Sequence, residues 1–478
     1  MWRKKQNHQC LIMAVLTICC VTTAGVRADW LKQQKLTAGD ADNYDYFGYS
    51  VSIDGDYAIV GARYDDEKAF NAGAAYIFKL VGGTWTQQDK LMASDGQSQD
   101  IFGFSVSISG DYAIVGAPAH NSRTGTAYIF KRSGTDWSQQ AKLTASDGAI
   151  NDEFGYSVSI SGDCAIAGAY GDDNFLGNDS GSVYIFEKPP GGWTNANETT
   201  KIFAFDGVAG DRFGYSVSNS GNFAVVGAQW ADLWVGGPLY DVGAAYLFLR
   251  TGPATIVPLI KFTASDASAG DWFGSSISIK GDKIIVGATG KDLPGKGQVG
   301  AAYIYKFSPT EFVEQANIMA SDPDASDYFG WSVSISGDYA LVGAFGDSEG
   351  GTSAGAAYIF RWDQYNNNWS EMQKLLATGA AEYESFGASV SMDDDYAIIG
   401  AYSDDNIGSA FVYRHICPSA DISGNCIVNF VDFAHFALWW EMKNCADPEW
   451  CGGADFDQNT MVDLEDLLTF CSQWLDYN

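Results

Sequence analysis

Two stretches near the C-terminal end of the chain have the residue spacing with the most specific chemistry. From Asp421 the sequence reads DISGNCIVNFVD, and from Asp455 it reads DFDQNTMVDLED. Each forms a twelve-residue loop with oxygen-bearing side chains at positions 1, 3, 5, 9 and 12. In the first these are Asp421, Ser423, Asn425, Asn429 and Asp432; in the second, Asp455, Asp457, Asn459, Asp463 and Asp466. A hard cation such as calcium takes several oxygens at once, and this spacing wraps them round one point. Position 7 (Ile427, Met461) would add its backbone carbonyl, and Val428 and Val462 at position 8 are placed to pair between the loops. An apolar, helix-like stretch follows each loop, FAHFALWWEMK and LLTFCSQWLDYN. The metal-free alternative is an Asx-rich turn leading into an amphipathic helix. Two such loops, 34 residues apart, favour calcium, two ions in all.

The rest of the chain follows another plan. The phrase FGYSVSISGDYAIVGA, or a close variant, recurs seven times. Its Phe-Gly pairs begin at Phe47, Phe102, Phe154, Phe213, Phe273, Phe329 and Phe386, spaced by 52 to 60 residues. Each unit carries four strand-like runs, and that period reads as a β-propeller of seven blades. DYAIVGA and GAAYIFK are nearly continuous apolar runs, as expected of strands buried on both faces. In FGYSVSIDG, Val51 and Ile53 alternate with the small Ser50 and Ser52, which lets a neighbouring blade pack closely. Gln, Asp and Lys interrupt WTQQDKL, as in a solvated edge strand. The order from the axis outward is therefore the Phe-Gly strand, DYAIVGA, GAAYIFK and the Trp strand. The repeats begin with an outer-type strand at 30–37 and end with a third-type strand at 408–414, so the two ends are expected to share the last blade. The expected fold class is an all-β seven-bladed β-propeller followed by a small α-helical module with two EF-hand-like calcium loops. The expected boundaries are 1–28 for an export signal, 29–415 for the propeller and 416–478 for the calcium module.

Composition limits the partners. With 28 basic and 59 acidic residues the formal charge is −31, which argues against nucleic acid and anionic membrane surfaces. Cations, cationic surfaces or neutral glycans fit better. Arg3, Lys4 and Lys5 precede an apolar run over 11–21 and a small-x-small site at Val26-Arg27-Ala28, the pattern of a secretory peptide. The run is too short to span a bilayer. Ile18 is poorly suited to precede a lipidated Cys19 or Cys20, so a secreted protein without a membrane span is expected. Cys164 reads as a buried free thiol. Cys417, Cys426, Cys445, Cys451 and Cys471 crowd into the tail and suggest disulfides with one cysteine left over, in a connectivity the sequence leaves open.

With these residues in place, two resemblances emerge. The tail from Cys417 to Asn478 resembles a type I dockerin, which implies two bound calcium ions and a cohesin-like partner. The loop positions above are the ligands that the resemblance carries over, with Asp432 and Asp466 in place of the usual Glu. Cys426 and Thr460 stand at position 6, where the family has Gly for the sharp turn. Phe430-Val431 and Leu464-Glu465 replace its frequent Ser-Thr pair, which points to a divergent cohesin or another exported protein. The seven units resemble the FG-GAP repeats of integrin α-chain propellers. That resemblance implies a non-enzymatic adhesion or recognition propeller, binding a glycan or an extracellular protein. The calcium hairpin of integrin-type repeats, D-x-D-x-D-G-x-x-D, has no match in the inter-strand loops, so no ligands are carried over there.

The loops suggest where binding occurs. Crossings between blades carry Asp95 and Asp100, Asp147 and Asp152, Asp266 and Asp271, Asp322 and Asp327. Loops between second and third strands emerge on the same face and add Asp65-Asp66, Asp172-Asp173 and Asp404-Asp405. One face is therefore expected to be acidic; the alternative for each individual Asp is that it caps its own turn, and the collective field survives either way. The longest such loop, residues 229–242, carries Trp230, Leu233, Trp234 and Tyr240. These suit sugar stacking or a protein hot spot, or else they pack on neighbouring loops. An enzyme is the rival class. His120, His415 and His435 lie far apart, and the sequence shows no nucleophile elbow, phosphate-binding loop or His/Cys metal cluster. A two-carboxylate glycosidase or a lyase stays open because Asp is abundant, as does a structural surface-layer component.

Overall fold

The computed structural model describes residues 30–416, apart from 235–236, 253, 365, 378 and 380–381, and in the tail residues 454–456, 462 and 465–470. In the first blade the strands Phe47–Asp54, Tyr57–Ala62, Ala74–Val81 and Thr84–Leu91 pair in that order, all antiparallel. The same order recurs around the ring. In the last blade Phe386–Met392, Tyr396–Ala401 and Ser409–His415 are completed by Trp30–Leu36 from the start of the chain. Burial follows the residue pattern: YAIVGA is buried throughout, whereas TWTQQDKL is largely exposed with buried Trp85 and Leu91 as anchors. The third unit departs from its expected outer strand. Pro189 and Pro190 cannot donate to a ladder, so that strand shrinks to Thr200–Ile202. Residues Ala196–Asn197 instead add a parallel strand to the neighbouring blade, beside Leu143 and Thr144.

Each blade packs on the next through its broad faces. Ile59, Ile77 and Leu91 of the first blade meet Phe102, Val115 and Tyr128 of the second in one buried cluster. The Phe of each Phe-Gly pair is fully buried and meets its own third strand near edge-on, as Phe102 does with Tyr128 at 5.6 Å and Phe130 at 5.9 Å.

The serines do more than leave room. Ser50 Oγ donates to the carbonyl of Gly103 in the next blade at 2.8 Å. The equivalent bonds run from Ser105, Ser157, Ser216, Ser276 and Ser332, and Ser389 closes the circle on Gly48 at 2.8 Å. A second circle uses the other serine: the Ile108 amide donates to Ser52 Oγ at 3.2 Å, and so round to Ile53 donating to Ser391 at 3.1 Å. Each such bond contributes roughly 1 kcal/mol net. Together they tie the innermost strands of all seven blades into two continuous belts.

Candidate functional site

The residue after each Phe-Gly pair has no place in the ladder. In the first blade Phe47 pairs with Ala62 and Ser50 with Gly61, so Gly48 and Tyr49 bulge out of the inner strand. The same irregularity occurs after Phe213, Phe273 and Phe386. Bulges re-aim side chains, and this one turns its residue to a cavity of about 510 Å³ lined by all seven blades. Glycine is required beside it: Gly48 has φ +90°, and a Cβ there would stand 2.2 Å from the Ser409 carbonyl. The residue before each Phe-Gly pair is also left-handed, with φ 57° at Tyr46, 58° at Arg212 and 57° at Trp272.

In the first four blades the bulge residue is Tyr49, Phe104, Tyr156 and Tyr215. Their rings form a contiguous arc with centroids 5.1, 4.7 and 5.1 Å apart. The last three blades supply Ser275, Trp331 and Ala388, two small residues flanking a Trp that is 42% exposed. Burial pushes the Tyr49 hydroxyl up to about 12, with Arg63 pulling the other way.

Two arginines line the same cavity. The Arg63 guanidinium lies 3.8 Å from the Tyr49 ring and 4.5 Å from that of Tyr64. Arg212 lies 3.4 Å from the Trp230 ring and 5.1 Å from that of Tyr170. Among the described residues neither guanidinium makes a hydrogen bond or an ion pair, and the Nε of each is buried. Stacking engages the guanidinium face and leaves the in-plane N–H donors unspent.

The acidic loops behave otherwise. Lys374 Nζ reaches Asp322 at 2.6 Å, Asp347 at 2.9 Å and Glu349 at 2.7 Å, while Tyr358 donates to both aspartates. Lys90, Lys142, Lys201 and Lys261 take the same place in four other blades. Where the outer strand has Asn317 instead, Lys291 from a loop substitutes, 3.0 Å from Asp271 and 3.2 Å from Asp266. Before six of the seven Phe-Gly pairs an Asp caps its own turn: Asp100 accepts the Gln97 amide at 2.7 Å and Asp152 the Ala149 amide at 2.6 Å. Burial holds Asp45, Asp152, Asp211 and Asp327 up at about 6. The capping alternative thus holds for these aspartates, and each lysine offsets part of the charge of the loop carboxylates it bridges.

Family comparison agrees with this geometry. The FG-GAP repeat matches seven times, at residues 30–78, 85–130, 137–186, 196–248, 259–305, 312–360 and 369–413. The chain belongs to the FG-GAP repeat family. A comparison with curated protein sequences found no match.

Within this FG-GAP propeller the four residues singled out on the long loop part company. Trp230 lines the central cavity beneath Arg212. Leu233 and Trp234 pair with Pro238 and Leu239 in a small hairpin, where Trp234 is 77% exposed; Tyr240 beyond it is also exposed. Cys164 is a buried free thiol. Of the calcium-loop positions, Asp455 and Asp466 are described: both are buried, and the Phe456 amide donates to Asp466 Oδ1 at 2.6 Å. Asp421, Ser423, Asn425, Ile427, Asn429, Asp432, Asp457, Asn459, Met461 and Asp463 lie outside the described residues, as do the export signal and the five tail cysteines.

Sequence reasoning missed the bulge residues and both arginines. The signal was present as a variable column (Tyr, Phe, Tyr, Tyr, Ser, Trp, Ala) between the invariant Phe-Gly and Ser of each unit.

Proposed function

We propose that this chain is an exported, non-catalytic recognition protein, whose FG-GAP propeller binds its ligand at the axial cavity and whose dockerin-like tail tethers it to a partner. The observation that carries the reading is the cavity itself: every blade contributes one bulge residue to it, and those residues vary while the belts beside them repeat. Its lining supplies flat rings, two arginines and Gln229, and among the described residues no carboxylate, histidine or cysteine that would act as base or nucleophile. That donor set suits binding better than acid–base chemistry.

The tail reading rests on the two twelve-residue loops and on one local feature. Asp455 and Asp466 are buried at opposite ends of one loop, which the Phe456 amide draws closed. These two residues stand at positions 1 and 12 of the loop, where a calcium ion would take their carboxylate oxygens. Calcium would organise the module and present its helices to a cohesin-like or other exported protein. The test is calorimetry of the full chain in calcium and in chelator. A transition that rises with calcium, and that Asp421→Ala with Asp455→Ala abolishes while the propeller transition stays put, is expected. Identical traces in calcium and chelator would refute the calcium module.

A further inference from the structure

The strongest unexplained feature is chemical. In a chain of net charge −31, most described lysines near a loop carboxylate are paired with it, yet the two arginines at the axial cavity are not. Arg63 comes from the loop after the first blade's second strand, and Arg212 from the left-handed position before the fourth blade's inner strand. Each is held flat on aromatic rings with its Nε buried. A buried donor left unmet costs roughly 1–3 kcal/mol, so each position is maintained at a cost unless a ligand supplies the acceptor. The net charge does not forbid an anion there: at physiological ionic strength screening limits the distant carboxylates to about 8 Å, and lysines offset part of the loop charge.

We propose that the axial cavity binds an acidic sugar, one bearing a carboxylate or a sulfate ester. The inference rests on the recognition reading above and names the ligand class for that same site. Either arginine can take an anionic group through paired, charge-assisted hydrogen bonds, the geometry in which guanidinium matches carboxylate and sulfate. Trp331, half-exposed beside Phe345 at 4.6 Å, offers a face to the apolar side of the pyranose ring. Gln229 contributes an amide suited to hydroxyl groups. The cavity volume of about 510 Å³ lies within the ordinary range for small-ligand sites. An acidic peptide would use the arginines but has no need of the exposed Trp face.

The experiment is titration calorimetry of the full chain with four probes: tri-galacturonate, its fully methyl-esterified form, a sulfated neutral trisaccharide, and hexaglutamate. Tri-galacturonate or the sulfated sugar is expected to bind, which tells carboxylate from sulfate recognition, and the methyl ester to bind at least about tenfold more weakly. Arg63→Ala and Arg212→Ala should each weaken the acidic sugar by about tenfold or more, and Arg→Lys should restore only part of it, because a point charge lacks the fork. Trp331→Ala checks the sugar face: its ring packs on Tyr328 and Phe345, not on the rings that hold either arginine. Equal affinity for the ester, or undiminished binding in both arginine variants, would overturn the acidic-sugar inference while leaving a recognition cavity. Binding of hexaglutamate alone would overturn it in favour of an acidic peptide. Silence from all four probes would sink the inference and the glycan form of the recognition reading together.

Discussion

Gly61→Ala should be among the most damaging single-methyl additions in this propeller, and the structure says why. Gly61 is the penultimate residue of the second strand of the first blade, where its backbone is not left-handed and so suits any residue. A Cβ there would stand 2.1 Å from the Gly103 carbonyl of the next blade and 2.4 Å from Ser50 Oγ. Ordinary van der Waals contact needs the neighbouring blade to retreat by about 1 Å. Overpacking of this kind costs about 1–3 kcal/mol, and the retreat also breaks the Ser50–Gly103 hydrogen bond, worth about 1 kcal/mol. The total is near 3 kcal/mol. Gly55→Ala is the matched control: nothing lies within 4 Å of its Cβ, so only the left-handed backbone, φ +57°, is strained, for about 1–2 kcal/mol. Urea unfolding followed by tryptophan fluorescence reads the difference as a midpoint shift, Gly61→Ala falling well below Gly55→Ala. Ser50→Ala completes a double-mutant cycle. Because Gly61→Ala has already broken that bond, the double variant should be less destabilised than the sum of the singles, by about 1 kcal/mol. Equal midpoints for Gly61→Ala and Gly55→Ala would refute the belt argument.

Three further outcomes follow from the same contacts. Asp45, Asp152, Asp211 and Asp327 titrate near 6 when folded, above the roughly 3.9 of an unfolded chain. The folded state thus binds the extra protons, and their contribution is full below about pH 4 and lost as pH rises through about 6. Asp95, Asp147 and Asp322 are held below the usual range, burial opposing but Lys and Tyr partners prevailing, so their contribution is lost as pH falls. The melting temperature should therefore peak at about pH 4 and fall as pH rises through about 6, and Asp152→Asn with Asp327→Asn should flatten that fall. Lys374→Met strands the buried Asp347 and should cost about 3 kcal/mol or more, several times the effect of Asp322→Asn, whose carboxylate is 45% exposed; chemical denaturation compares the two. Deleting residues 30–36 leaves Ser409–His415 as an open edge and should shift the protein towards aggregates on size exclusion.

The fold was legible because seven copies of one pattern reinforce each other. Phe-Gly, Ser-x-Ser and Gly-Ala recur in register, and each proves to be a contact that every blade must make: the buried Phe, the serine belts, the glycine against a neighbour's carbonyl. The outer lysines were visible too, but nothing local shows that Lys201 reaches Asp147 and Asp172, 54 and 29 residues earlier in the chain. The expected acidic face missed that pairing. The third unit's displaced outer strand was readable in hindsight from Pro189-Pro190, whereas its parallel partnership with Leu143 depended on the neighbouring blade.

The central cavity escaped notice for the opposite reason. A bulge residue has no ladder partner to satisfy and no neighbouring blade to fit, so Tyr, Ser, Trp and Ala are all compatible with the same backbone. Repetition marks what the fold needs; it is silent where the fold is indifferent. That indifference, placed by symmetry at one point on the axis, is what lets seven positions change together without loosening the ring. Length drew attention to residues 229–242, yet the member of that loop that meets Arg212 is Trp230, at its very start, beside the axis. In a propeller of this kind the informative residues are those that vary at a fixed place between invariant ones, and here they assemble the arginine-bearing aromatic cup.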